Sequence, residues 1–294
     1  MRLLGWLALA AMVGGAVSAD ARMHAPYRGH RIAPSTAAPL DAFATPAGAY
    51  SLRKLKSTYA GPGIKLRRAT GGTQDIGFLG FTGFTGAPLD VAAATAFCAA
   101  TTCFVDTFYD QSGAAQHLVQ ATAANQPQFV FNCVNSLPCF RFTATTQYLG
   151  SVGTIGVVSP LSASVVARHA VRAAPGGSNA CQFFWLTNNS LAQHADLDVL
   201  FMSNGSATIN LAATYPNWHS VTGVYSGASA VGRVDAVETT GTVAASLGPN
   251  NIYIQSVEAG ATCDQGELIV WNGYGLTAGE RAALSANQKG FWGF

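Results

Sequence analysis

The feature that most limits the fold is a succession of short apolar runs cut by turn residues. "ASVVARHAV" (163–171), "LDVLFMS" (197–203), "HSVTGVYSG" (219–227) and "GELIVWNGYG" (266–275) are strand-length and rich in Val, Ile and aromatic residues. The breaks between such runs carry Pro-Gly-Gly, Ser-Asn-Gly and Pro-Asn-Asn, which supply the backbone angles that turns demand. Many short strands at this spacing predict an all-β protein, a two-sheet antiparallel sandwich. Residues 217–238 illustrate one hairpin: Trp218, Val221, Val224 and Tyr225 lead in, "SGAS" turns the chain, and Val231 and Val234 lead out.

Two segments break the strand pattern. "LDVAAATAFCA" (89–99) places Asp90 as an N-cap ahead of a run of alanines, which predicts a short helix. "LTAGERAALSANQKGFW" (276–292) opens on Thr277 with Glu280 three residues later, a capping box, and predicts a closing helix over about 277–289. Its Ala282, Leu284 and Phe291 are the residues expected to pack on the sandwich.

The N-terminus reads as an export signal. Arg2 precedes the apolar run 3–17, and "VSA" at 17–19 has the small-x-small pattern of a cleavage site, with "ADA" at 19–21 as a second choice. The expected organisation is a signal peptide at 1–19, a flexible linker at 20–39 and one domain at 40–294. No later run approaches the about 18 apolar residues of a membrane helix, so an exported protein, secreted or periplasmic, is expected. Six cysteines in such a chain favour disulfides over metal, and no C-x-x-C or H-x-x-x-H spacing is present. Six cysteines allow 15 pairings; closeness in sequence favours Cys98 with Cys103 and Cys133 with Cys139, leaving Cys181 for Cys263. Charged residues make up 10% and the formal charge is +2, with no basic cluster beyond "SLRKLKS" and "KLRRA", which argues against a nucleic-acid partner. No EF-hand-like D-x-D-x-D loop occurs, and neither a metal site nor a cofactor is expected.

The stretch "FCAATTCFVDTFYDQSGAAQHLVQ" (97–120) carries the densest polar signal of the chain. In Tyr109-Asp110-Gln111-Ser112-Gly113, Asp and Ser can bond backbone amides two residues on, and Gly suits a left-handed position. An Asx-turn therefore explains the whole pentapeptide, whereas a catalytic role for Asp110 explains one residue. His117 is likewise read as a hydrogen-bonding histidine rather than a base.

With the preceding "AYSLRKLKSTYAGPGIKLRRATGGTQDIGF", this stretch resembles the catalytic domain of the α-L-arabinofuranosidase B family, glycoside hydrolase family 54. The shared order is a tyrosine-bearing first strand, an arginine pair, a helix ending in Phe97-Cys98, a hairpin closed at Cys103, then Tyr109 to Gly113, His117, Leu118 and Gln120. Close likeness covers residues 49–128, and the remainder resembles the wider laminin-G and concanavalin-like group. The resemblance implies a concanavalin-like jelly roll and retaining hydrolysis by two carboxylates about 5–5.5 Å apart.

The family's nucleophile is a Glu in an Asp-(Met/Leu)-Glu segment. Its counterpart lies in "HADLDVLF" (194–201), where Asp198 takes the Glu position and Asp196 that of the preceding Asp. Asp198 is one methylene shorter, a setback of about 1 Å that can cost roughly a hundredfold in rate. The family's acid/base is an Asp in Gly-Gly-Asp-Asn, which falls on Ala259 of "SVEAGATCDQGELIV" (256–270), with Glu258 adjacent. Glu258 is the candidate acid/base, and Asp264 and Glu267 are alternatives. Alternation puts Glu267 on one face with Ile269 and Trp271, either sugar-facing or a partly buried edge. The family's vicinal cysteine pair is absent, since Gln182 follows Cys181.

Asp196, Gln182, Trp185, Trp218 and Asp264 are the expected substrate-binding residues, and Tyr215 and Trp271 are further aromatics on which a sugar ring could stack. The partner implied is an arabinose-containing polysaccharide, plant-type or other. The alternative reading is a non-catalytic concanavalin-like module that binds glycans or proteins. Asn188 and Asn204 stand in N-x-S sequons, relevant only in a glycosylating host.

Overall fold

The computed structural model describes residues 38–80, 86–171, 181–186, 188–193, 199–256 and 259–294. The expected signal peptide and nearly all of the expected linker lie outside these residues. Ala38 and Pro39, placed by sequence at the end of that linker, are already buried, and the Ala38 amide donates to Asp41 Oδ2 at 2.7 Å. The described residues fall within one compact unit.

The chain is an antiparallel two-sheet sandwich. One sheet runs Gly48–Ser51, Thr262–Asn272, Leu161–Val171, His219–Tyr225, Gly227–Val234 and Val237–Val243, each paired with the next. The other runs Thr208–Ala212, Val199–Ser203, Asn189–Gln193, Cys181–Leu186, Tyr253–Ser256, Tyr148–Ser151, Leu118–Val119, Cys103–Phe108, Ile64–Arg68 and Thr73–Ile76. The hairpin of Gln128–Val134 and Leu137–Phe142 bridges them, pairing with Cys103–Phe108 at one side and with the first half of Thr262–Asn272 at the other. The sandwich is thereby nearly closed, which leaves few unpaired strand edges.

Thr262–Asn272 is buried from Cys263 to Trp271 on both faces. Leu268 and Val270 enter the main core between the sheets. Ile269 and Trp271 face outward into a second apolar cluster with Leu40, Ala49, Leu55, Leu276 and Leu284. The strand breaks register against Leu161–Val171 between Val166 and Ala167, which pair with Glu267 and Gln265 and leave Gly266 unpaired. That bulge lets Asp264 and Glu267 reach partners on the outer face while Cys263 and Gln265 reach the opposite sheet. Gly266 is also a contact requirement, because a Cβ there would stand 2.3 Å from the Trp292 ring.

Both helices form as their caps predict. Val91–Phe97 starts at Asp90, whose side chain accepts from the Ala93 amide, and Ala278–Trp292 carries the full Thr277–Glu280 capping box. The packing face of the second helix differs from expectation. Leu284 is buried, but Ala282 is exposed and Phe291 half-buried; Arg281, Ser285, Asn287, Gln288 and Trp292 face the sheet instead. The reason lies beneath it, where Ser164, Ser220, Thr222 and Glu267 make the covered sheet face polar. Gln288 bridges that face, accepting from Ser220 Oγ at 2.5 Å and donating to Glu267 Oε1 at 3.0 Å.

Arg53 and Glu267 are the charged pair of this layer, both fully buried. Arg53 grips the carboxylate with Nε at 2.7 Å and Nη2 at 3.0 Å and reaches Asn287 through Nη1. Burial works to raise the Glu267 carboxyl, but the Arg53 charge and hydrogen bonds from Arg53, Gln288 and Ser51 hold it below its ordinary value. All three disulfides pair as closeness in sequence suggests: Cys98–Cys103, Cys133–Cys139 and Cys181–Cys263. The third joins the two sheets directly.

Arg53→Ala is expected to lower unfolding free energy by about 3–5 kcal/mol, because it leaves Glu267 charged and unpaired in the interior. The Arg53→Met/Glu267→Leu double variant is expected to recover most of that loss in urea titrations. Since the folded carboxyl lies below its unfolded value of about 4.3, the stabilisation is complete above that pH and is lost as pH falls through the folded value. The double variant should lack this acid-side loss. Removing Cys181–Cys263, which spans 82 positions, should cost about 4.5 kcal/mol in the same assay, against about 2 for Cys98–Cys103 with its separation of 5.

Candidate functional site

The Tyr109–Gly113 motif is scaffolding. Asp110 is buried and accepts at Oδ1 from the amides of Ala49 (2.9 Å) and Ser112 (2.8 Å) and at Oδ2 from Ser112 Oγ (2.7 Å) and the Gln116 amide (3.1 Å). Gln111, also buried, accepts from the Leu55 amide and donates to the carbonyls of Ser51 and Arg53. Gly113 takes a φ of +94°. His117 accepts the Asp110 amide at Nδ1. The motif therefore fastens the first strand and the Arg53 segment to the opposite sheet, with no carboxylate oxygen of Asp110 left for chemistry.

Of the expected catalytic residues, Asp198 and Glu258 lie outside the described residues, as does Asp196. Their chain neighbourhoods converge nonetheless. Gln193 and Ser256, the strand ends preceding them, are both register partners of Cys181.

The structure places most of the other expected sugar contacts in the interior. Asp264 is fully buried, held by Arg141 Nε at 2.7 Å and Nη2 at 2.8 Å and by Arg168 Nε at 2.9 Å, so it is a structural counter-ion rather than a substrate contact. Glu267 is likewise consumed by Arg53. Trp218 is 6% exposed, stacked on Trp292 with ring centres 6.3 Å apart and covered by the Arg168 guanidinium, so it offers no face to a sugar. Trp271 is fully buried and donates to the Ala44 carbonyl. Tyr215 is tied to the Ala170 carbonyl and packs on His169. The sulfurs of Cys133 and Cys139 lie within 4.8 Å of an Asp264 oxygen, but they form a disulfide and the carboxylate is engaged by arginines, so this cluster offers no thiolate to a metal.

Trp185 and Gln182 do reach solvent, and they are brought together with residues the sequence reading missed. Three strands of the second sheet align Gly150, Tyr253 and Trp185 in one row and Tyr148, Gln255 and Gln182 in the next. The four aromatic and amide side chains Tyr148, Trp185, Tyr253 and Gln255 are half-buried, as is Gln182. Tyr253 lies over Gly150, where a Cβ would come within 2.7 Å of its ring, so the glycine admits the tyrosine against the sheet. Trp185 tilts 38° from Tyr253 at 5.3 Å and Tyr148 inclines 63° at 6.1 Å. The result is an aromatic cup with Tyr253 as its floor. Gln255 Nε2 donates to Gln182 Oε1 at 2.6 Å along one rim. Period-2 alternation in "QYLGS" (147–151) and "IYIQS" (252–256) was the available signal, since each places an aromatic opposite an aliphatic core residue; the sequence could not show that the two segments pair.

A second concavity of about 490 Å³ lies beside the end of the closing helix, lined by Arg168, Asn217, Trp218, His219, Asp235 and Lys289 among others. Its titratable groups neutralise one another: His219 Nδ1 meets Asp235 at 2.8 Å, Lys289 meets Asp235 at 3.6 Å, and Arg168 holds Asp264. It contains no uncommitted carboxylate pair.

Residues 40–134 match the family described as "Alpha-L-arabinofuranosidase B, catalytic". Over that stretch this chain is similar to the α-L-arabinofuranosidase B catalytic domain. A probable α-L-arabinofuranosidase B of Aspergillus fumigatus is 41% identical over 70 residues, 24% of this chain and 13% of that protein. One of Aspergillus clavatus is 38% identical over 93 residues, 30% of this chain and 18% of that protein. Among solved structures, a GH54 α-L-arabinofuranosidase soaked with a cyclic sulfate inhibitor superposes with a TM-score of 0.64 at 17% identity, over 82% of this chain and 62% of that one. An arabinofuranosidase complexed with arabinofuranosyl-α-1,2-xylobiose gives 0.57 at 18% over the same shares. The matched stretch thus spans less than a fifth of the curated relatives, and the chain covers less than two thirds of the solved ones. The fold is theirs: a concanavalin-like sandwich.

Asp264→Asn is expected to lower stability by about 3 kcal/mol, the lower end of the range for a broken buried pair because both arginines retain some solvent contact. Chemical denaturation of the variant measures it.

Proposed function

We propose that this protein is an exported glycoside hydrolase that removes α-L-arabinofuranosyl residues from polysaccharide side chains with retention of configuration. The observation that carries the reading is the family match at 40–134 on a sandwich that superposes along most of its length with arabinofuranosidases. In this reading Asp198 attacks the anomeric carbon, and Glu258 protonates the departing glycosidic oxygen and then activates water. Two features support the pairing. Asp264 and Glu267, the other acidic residues of the 256–270 stretch, are withdrawn into buried ion pairs. The strands leading to Asp198 and Glu258 also flank Cys181 from either side, and the disulfide to Cys263 pins Cys181 to the opposite sheet. The Asp196 carboxylate is assigned to a sugar hydroxyl. An N-terminal signal peptide ending near Ala19 directs export.

A chromogenic aryl α-L-arabinofuranoside tests this. Asp198→Asn should lower turnover by two or more orders of magnitude. Glu258→Gln should slow a polymeric substrate more than the aryl one, because an activated phenolate needs little protonation on leaving. Absence of any turnover by the exported wild-type chain would overturn the hydrolase reading in favour of a glycan-binding module. Undiminished turnover in Asp198→Asn would relocate the nucleophile.

A further inference from the structure

We infer that the aromatic cup of Tyr148, Trp185 and Tyr253, with the Gln182–Gln255 amide pair on its rim, binds one ring of the neutral main chain of a polysaccharide. This rests on the hydrolase reading for the choice of polymer, and the geometry of the cup stands apart from it. A pyranose ring offers an apolar C–H face and an equatorial belt of hydroxyls. The first suits half-exposed aromatic faces, and the second suits neutral amides, which both donate and accept. The internal Gln255-to-Gln182 bond uses one donor and one acceptor, so the amide pair keeps donors and acceptors for hydroxyls. None of the six positions forming the two rows is charged, in keeping with a neutral occupant rather than an acidic glycan.

Position separates this ring from the sugar that is cleaved. Trp185 and Tyr253 are register partners, as are Cys181 and Ser256, and the two pairs lie three to four residues apart on the same strands. At about 3.3 Å per residue the Trp185–Tyr253 row sits on the order of 10 Å along the sheet from the strand ends that lead toward Asp198 and Glu258, and the Gln182–Gln255 rim lies on the side nearer them. That displacement corresponds to a neighbouring unit of a polymer held across the sheet and not to the arabinofuranosyl ring at the point of attack. The cup is also built to keep its shape. Tyr253 is seated on Gly150 and flanked by two rings, so little side-chain freedom remains to be lost on binding.

Native affinity electrophoresis of the full chain through gels containing unsubstituted linear xylan tests the inference. The wild type should be retarded. Trp185→Ala and Tyr253→Ala should weaken the retardation at least fivefold, and Trp185→Phe, which keeps an aromatic face, should restore most of it. Near-ultraviolet circular dichroism identifies any variant that has lost its packing, and the Trp185→Phe result then decides. In hydrolysis, kcat/KM on a decorated xylan should fall at least tenfold relative to kcat/KM on the aryl arabinofuranoside in Trp185→Ala. Wild-type mobility unaffected by xylan, or equal retardation of the wild type and both alanine variants, would overturn the inference. So would a wild-type dimer that Trp185→Ala converts to monomer, since the cup would then be an interface between two copies. Loss of the hydrolase reading would leave the gel result standing, because unsubstituted xylan carries no scissile arabinose.

Discussion

Arg53 and Glu267 meet without solvent contact between the first sheet and the helix that closes the fold, and the arrangement of this layer follows from their need for each other. A carboxylate in that position is tolerable only if its oxygens are fully engaged, and Arg53, Ser51 and Gln288 engage them. Those contacts draw together the segment after the first strand, the central strand and the closing helix. They also explain why the helix presents Asn287 and Gln288 to the sheet, where an amphipathic helix would present leucines. The layer is held by directional polar contacts, with apolar packing concentrated beside it around Trp271 and Leu284.

The same logic recurs along the central strand. The bulge at Gly266 lets two acidic residues share its outer face, and each is met by arginine: Glu267 by Arg53, Asp264 by Arg141 and Arg168. A residue that looked like a candidate acid in sequence is therefore a counter-ion in space. In a chain with 14 acidic residues, removing these two from consideration narrows the chemistry considerably. On the inner face of the strand, Cys263 ties the first sheet to the end of Cys181–Leu186, so the strand ends beside Cys181 are anchored to a strand buried on both faces. In the proposed reading Asp198 and Glu258 follow those anchored strand ends in sequence, and hydrolysis by two closely spaced carboxylates demands positional constraint.

The residues that carry the family resemblance lie apart from the aromatic cup. Asp110 and Gln111, the residues that make the resemblance specific, spend their bonds on the first strand, the Arg53 segment and the motif's own loop at Ser112 and Gln116. They preserve a strand arrangement and carry no reaction. The surface that can meet a glycan lies on the outer face of the second sheet, where the aromatic rows gather from strands remote in sequence.

Much of the fold was legible in the chain itself. The strand runs, both helix caps, the Asx-turn at Asp110 and the two short cysteine pairs follow from local chemistry: β-branched spacing, side chains that satisfy nearby amides, and short loops that close easily; the long pair Cys181–Cys263 is what those two leave over. The face of the closing helix was not legible, because Ala282 and Leu284 promised an apolar contact and only the sheet beneath, lined with Ser164, Ser220, Thr222 and Glu267, makes the polar face the buried one. Nor was the fate of Trp218 or Asp264, since burial depends on Trp292, Arg141 and Arg168 arriving from elsewhere in the chain. The aromatic cup is the clearest case. "YLGS" and "YIQS" each announce an alternating strand, but only lateral pairing puts Tyr253 over Gly150 and beside Trp185, contacts between residues 103 and 68 positions apart. Sequence determined which segments could be strands, caps and staples because those are short-range choices; the tertiary structure decided which side chains met, because register and layer order are settled only when the whole sandwich closes.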